Sequence, residues 1–304
     1  MERLFYELIQ VSTGQLDCLS RGPEPEEWQE LHEMAHQQHL TGICYRGAQA
    51  LFEFGLRVPH ELIIDWMSEA EVIEEQNARL TQRCVEVQQL LSEEGFKSSV
   101  LAGQAIASDY GESLQPLRQP DGIDIYVGGD NDKKRQIFVM AWNEADVRLH
   151  AQIGLGKNPF KNKVLRKWFE KNHRAMFVKG GELTRPSVSM MLVYLLVTLY
   201  WRFIDEGITL RELMDCFYAL KRVAGHKKAS VIHYEKVLKR LGMLHFSQGV
   251  MWVMQEVFRL EEKALVVHPS ESRGSFILQE VMSGKRNILH LLQKYPIDLC
   301  FTLL

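Results

Sequence analysis

The segment 98–127, with its continuation at 146–150, limits what this chain can fold into more than any other part of the sequence. Ser99-Val100-Leu101-Ala102 is a short β-rich run that stops at Gly103-Gln104, and residues 105–110 then have the pattern of a short helix. A polar loop with Pro116, Arg118 and Pro120 follows. After it, Ile123-Asp124-Ile125-Tyr126-Val127 alternates apolar with polar residues, as a half-buried strand does, and Asp146-Val147-Arg148-Leu149-His150 alternates in the same way. The pattern predicts strand, glycine turn, short helix, then two strands carrying polar groups on one face.

The remainder bounds the class of protein. At 304 residues the chain is long enough to bury a sizeable core in two or three compact units. A net charge of −3 gives no overall attraction to nucleic acid or to an anionic membrane. The five cysteines (Cys18, Cys44, Cys84, Cys216, Cys300) are odd in number and widely spaced. That argues against a disulfide framework or a zinc knuckle and suits a reducing compartment. The first ten residues carry acidic groups and lack the apolar core of a signal peptide. The longest apolar run, 190–201, is too short to span a bilayer and predicts a buried helix. The expectation is a soluble cytoplasmic protein without a membrane partner.

Three regions are expected: a helical region at 1–95, an α/β core at 96–155, and a mostly helical region at 156–304. In the first, Trp28, Leu31, Ala35 and Leu40 share one helix face behind Pro25, which suits a first helical turn. Residues 69–94 contain neither Gly nor Pro and space Ile73, Leu80, Val87 and Leu91 as one long helix would. Residues 130–142 read as a charged helix returning over the sheet. In the third region, Gly207 ends the apolar helix, Thr209 and Glu212 form a capping box, and helices are expected at 230–241, 247–259 and 275–282.

Two local patterns bear on chemistry. His32-Glu33-Met34-Ala35-His36 fits HExxH, which on a helix sets two imidazoles one turn apart for zinc, with Glu33 as general base. A zinc hydrolase also needs a third ligand and a cleft, and no downstream segment announces one. The preferred account is a pair of partly exposed helix histidines. The second pattern is a basic stretch at 157–185, where Lys157, Lys161, Lys163, Arg166, Lys167, Lys171, Arg174, Lys179 and Arg185 alternate with Phe160, Trp168, Phe169 and Phe177. It would suit an electropositive wall for a triphosphate or RNA, but a solvated helix face over aromatic anchors is the simpler reading.

Several of these residues together resemble the uncharacterised nucleotidyltransferase family of bacteria. The resemblance rests on Trp28 with Ala35 and His36, Val100-Leu101-Ala102-Gly103 with Tyr110, Arg118 before Ile123-Asp124-Ile125, and Leu149-His150. It continues in Asn158-Pro159-Phe160, Trp168-Phe169, and Asp205-Glu206-Gly207-Ile208-Thr209-Leu210-Arg211 followed by Leu213-Met214-Asp215. It implies an α+β nucleotidyltransferase-like fold, a small mixed sheet with helices flanked by helical regions. The implied reaction is magnesium-dependent transfer of a nucleoside monophosphate from a nucleoside triphosphate to a hydroxyl acceptor. Asp124 would be a metal-face carboxylate, Asp121 a second one, and Gly103, Gln104 and Arg118 the nucleotide or phosphate contacts.

The chain departs from the family pattern where the chemistry lies. Ala102 replaces the usual lysine before the glycine. Gly122 stands where the partner carboxylate of Asp124 belongs, because residues i and i+2 share a strand face. Arg148 stands where a third carboxylate is expected, and Thr198 and Arg202 replace histidines. Asp121 reaches the Asp124 face only if Gly122 permits a bulge. Asp124 and Arg148 should project from one face of neighbouring strands, so that the guanidinium takes the place of metal charge, with Tyr126 and His150 beside it. Three functions follow: a metal-dependent nucleotidyltransferase, a catalytically silent relative serving as a binding or scaffold protein for an unknown protein or acceptor, and the zinc hydrolase.

Overall fold

The computed structural model describes residues 1–129, 131–153, 158–226, 233–284 and 295. The chain begins with four helices: α1 (Glu2–Ser12), α2 (Pro25–Gln37), α3 (Thr41–Glu53) and α4 (His60–Glu93). Pro25 occupies the first turn of α2, and Glu24 and Glu27 exchange side-chain and backbone hydrogen bonds as a capping box, a role usually taken by Ser or Thr. Helix α4 runs for 34 residues, about 50 Å at 1.5 Å per residue, because no Gly or Pro interrupts it after Pro59. Gly95, at φ +81°, ends it and turns the chain into the sheet.

The sheet consists of β1 (Lys97–Val100), β2 (Ile123–Gly128) and β3 (Val147–His150), in that order. The one-turn helix α5 (Gln104–Ala107) lies between the first two strands, and α6 (Asp132–Ala141) between the second and third. Strands β1 and β2 are antiparallel, and β2 and β3 are parallel, with Asp124 opposite Arg148 and Tyr126 opposite His150. Ile123, Ile125 and Val127 are buried on one face, and Asp124 and Tyr126 stand on the other.

Then come α7 (Pro159–Lys171), the hairpin β4 (Val178–Gly180) and β5 (Leu183–Arg185), and five helices: α8 (Val188–Asp205), α9 (Leu210–Gly225), α10 (Tyr234–Arg240), α11 (Leu244–Phe258) and α12 (Glu271–Ser283). The fold is α+β: mostly helical, with a small mixed sheet and a separate hairpin. The hairpin was not anticipated, since its strands are three residues long and carry no alternation to read. The expected helix starts at 130 and 230 lie outside the described residues, as do Lys157 and Cys300. Among the described residues α8 alone has the length and hydropathy to cross a membrane, but 72% of it is buried within the protein, as in a core helix. One hydrophobic cluster runs through all three expected regions, from Phe5 and Trp28 through Ile125 to Phe217 and Met254.

The loop 108–122, which delivers the chain into β2, is held from three sides. Asn77 on α4 donates to the carbonyls of Pro116 (2.6 Å) and Arg118 (2.7 Å). Gly42 on α3 lies so close to Leu117 that a Cβ there would come within 2.5 Å of the Leu117 carbonyl oxygen. Arg118 donates from Nε (2.8 Å) and Nη2 (2.7 Å) to the two carboxylate oxygens of Asp215 on α9, and Tyr110 Oη donates to the same carboxylate at 2.6 Å. Arg118 is 1% exposed.

Breaking a buried pair strands one charge away from water and costs about 3–5 kcal/mol, whereas replacing both partners by apolar groups costs far less. Arg118→Leu should therefore lower urea-unfolding stability by about 3–5 kcal/mol, and Arg118→Leu with Asp215→Leu by clearly less than the sum of the single changes. Additive losses would show that the pair is not coupled.

Candidate functional site

The polar face of the sheet centres on Asp124. Arg148, its neighbour across the strands, donates from Nε to Asp124 Oδ1 (2.9 Å) and from Nη2 to Oδ2 (2.7 Å), a two-pronged contact that matches the planar guanidinium to the carboxylate. His150 Nε2 lies 2.7 Å from Asp124 Oδ1. Arg148 Nη2 also donates to the backbone carbonyl of Asp121 at 3.3 Å. Burial alone would raise the Asp124 carboxyl, but hydrogen bonds from Arg148 and His150 outweigh it and hold the group well below the usual carboxylate range. The Arg148 guanidinium is correspondingly held above its ordinary value by its bond to Asp124.

Gly122 lies beside the Arg148 guanidinium. A Cβ built there would lie 3.7 and 3.8 Å from Nη1 and Nη2 of Arg148. A carboxylate at 122 would project into the space the guanidinium fills. Gly122 has φ +72°, and Gly103 has φ +57° with its notional Cβ 3.2 Å from the Gly122 carbonyl oxygen. The two glycines therefore let the strand–helix turn and the strand entry pack against one another.

Asp121 does not join Asp124. It turns toward α8 and α9, where its Oδ2 accepts from Arg211 Nη2 (2.8 Å) and Arg202 Nη1 (3.1 Å). Burial would raise this carboxyl, but the charges of Arg211 and then Arg202 prevail and lower it. The expected second metal carboxylate is thus corrected: Asp121 is anchored between two guanidiniums.

One expected phosphate contact is also corrected. Arg118 is spent on Asp215 in the interior. The Gln104 side chain turns back toward α4, where its Nε2 donates to Asn77 Oδ1 (2.9 Å) and its Oε1 accepts from Thr81 Oγ1 (3.1 Å). The anion contact expected at Gly103-Gln104 was one of backbone N–H groups, and these side-chain bonds do not bear on it. Gly103 does lie at the turn before α5, but that helix is only four residues long. Tyr126 shares the strand face of Asp124, as expected, and its ring lies edge-on to His173 and tilted against Phe177.

Magnesium favours one or two carboxylates in an oxygen cage. The sheet face offers Asp124 alone, already bonded to a guanidinium and an imidazole, so the donor set does not fit the ion. A dication would also meet the Arg148 charge; at about 4 Å and an effective dielectric near 20, each pair of unit charges repels by roughly 4 kcal/mol.

In the basic stretch, where a solvated face over aromatic anchors was the simpler reading, two of the basic side chains make contacts within the protein. Arg185 donates to the Ala105 carbonyl and to Asp109 (3.0 Å), while Lys161 lies over the rings of Tyr200 and Trp201. The HExxH histidines, in contrast, have the third partner that the sequence did not announce: His32 Nε2 and His36 Nε2 lie 2.9 and 3.0 Å from Glu69 Oε2 on α4. Thirty-three residues separate His36 from Glu69, and the fold brings the two side chains together.

Because the folded pKa of Asp124 is depressed, its pairing contributes stability that is fully present above the unfolded value near 3.9 and is lost as pH falls through the folded value. Asp124→Asn should therefore lower the melting temperature at pH 7, and the gap from wild type should close as melts are repeated from pH 4 toward pH 2. A gap that stays constant over that range would contradict the assignment.

No curated protein and no solved structure matches the chain significantly. The sequence model of an uncharacterised nucleotidyltransferase family matches residues 24–137, a span that includes α2–α4, the glycine turn, the Arg118 loop and Asp124. The match and the α+β architecture agree in supporting a nucleotidyltransferase-family protein.

Proposed function

We propose that this chain is a nucleotidyltransferase-family protein that has lost nucleotidyl transfer and works as a binding or scaffold protein, with a face that recognises its ligands without magnesium. One observation supports the reading above others. Two departures from the family pattern, Arg148 and Arg202, each bring a guanidinium onto a carboxylate that catalysis would leave for metal, Asp124 and Asp121. Nucleotidyl transfer of the two-metal kind requires one ion to activate the attacking hydroxyl and another to neutralise the departing pyrophosphate. An active site here would need Arg148 to leave Asp124 and a second carboxylate to arrive, and Asp121 is held by two arginines. The scaffold would act for a protein or acceptor of a biosynthetic or peptide-modifying system.

Calorimetric titration with ATP, GTP, CTP and UTP, with and without magnesium, tests the reading. Any nucleotide affinity should change by less than about twofold on adding the ion, and no pyrophosphate should be released. Magnesium-dependent tightening of tenfold or more, or pyrophosphate release, would restore the transferase. Gly122→Asp with Arg148→Glu should create magnesium binding on the sheet face, at a backbone cost of about 1–2 kcal/mol for a side chain at positive φ. A folded double variant that ignores magnesium would show that these strands do not carry the family's metal face.

A further inference from the structure

We propose that His32, His36 and Glu69 form a zinc-class metal site that joins α2 to α4, independent of the sheet face and of any role in nucleotide recognition. Among the described residues this is the one group in which three ligand atoms of His, Cys, Asp or Glu converge. The two Nε2 atoms are 3.2 Å apart, and both lie close to the same oxygen, Glu69 Oε2, at 2.9 and 3.0 Å.

The size of this triangle fits one ion. Three atoms so spaced lie on a circle of radius about 1.8 Å, shorter than zinc–nitrogen and zinc–carboxylate bonds of about 2.0–2.2 Å. A point about 1 Å above their plane is therefore at bonding distance from all three atoms. Three polar atoms are thus crowded into a triangle about 3 Å on a side. With a cation, three lone pairs meet at one centre.

The local sequence explains why the ligands are held there. His32 and His36 are four apart on α2, so they share a face. His32 is buried and packs edge-on against Trp66 at 4.9 Å, and Trp66 is itself fixed by its Nε1 donating to the Thr41 carbonyl (2.9 Å). Glu69 is three residues beyond Trp66 on α4, so the helix that supplies the packing surface also supplies the carboxylate. Beside His32 and Glu69 opens a cleft of about 540 Å³ that includes Gln29, Asp65 and Ser68, leaving the fourth coordination position to water or an added ligand.

Two imidazoles and one carboxylate select zinc and its transition-metal neighbours over magnesium or calcium, which favour all-oxygen cages. Glu33, the general base of the HExxH reading, is on the exposed flank of α2 and is given no role.

The full chain, freed of metal with a chelator, should bind zinc one to one in competition with a chromophoric indicator. Loading with cobalt(II) should give the visible bands of a four- or five-coordinate ion. His36→Ala and Glu69→Gln, both at half-exposed or exposed positions that leave the apo fold intact, should each weaken zinc by at least about 100-fold, beyond the 10–100-fold expected for loss of a supporting group alone. Cys18→Ser, which removes the exposed thiol, should leave the affinity unchanged. Zinc binding weaker than about 100 µM, or an affinity unmoved by both His36→Ala and Glu69→Gln, would overturn the proposal.

Discussion

The buried contact between Arg118 and Asp215 holds the loop that leads into the strand carrying Asp124. It joins the loop before β2 to α9, and with Asn77 and Gly42 it leaves that loop little freedom. The contact also continues outward. Arg211 Nη1 lies 4.0 Å from Asp215, Arg211 Nη2 bonds Asp121, and Asp121 bonds Arg202 on α8. A line of alternating charge thus runs from the interior to the entry of β2, and Asp121, only three residues before Asp124, is drawn away from the sheet face by it.

The two kinds of ion pair do different work. Arg118 and Asp215 have side chains 1% and 5% exposed, and the loss of either leaves a charge with no water to solvate it. Arg148 is 56% exposed and Asp124 22%, so that pair contributes less to stability than the inner one, as partly solvated pairs do. Its consequence is chemical: the one carboxylate left on the strand face is saturated by a charge that cannot be titrated away near neutral pH. Stability resides mainly in the inner pair, while the outer one occupies the strand-face carboxylate with a guanidinium.

Much of this was legible in the sequence where periodicity or strand geometry speaks. The alternation at 123–127 and at 146–150 placed Asp124 and Arg148 on one face, and the strands pair them directly. Thr209 and Glu212 announced the cap of α9, and the uninterrupted 69–94 announced α4, although not its extension back to His60. What could not be read were partners brought together from far apart in the chain. Arg118 and Asp215 are 97 residues apart, Asp121 and Arg211 are 90 apart, and His36 and Glu69 are 33 apart. A basic or acidic residue in a sequence carries no mark of whether it meets a phosphate, a metal or another side chain. Arg118 was read as the first of these and is the last.

The central claim is that guanidinium charge has taken the place of metal charge on this sheet. Manganese(II), a paramagnetic substitute for magnesium, tests it directly when titrated into isotopically labelled protein. The account predicts no saturable line broadening at the amides of Asp124, Tyr126 and Arg148. Broadening that saturates at micromolar manganese and centres on Asp124 would contradict it.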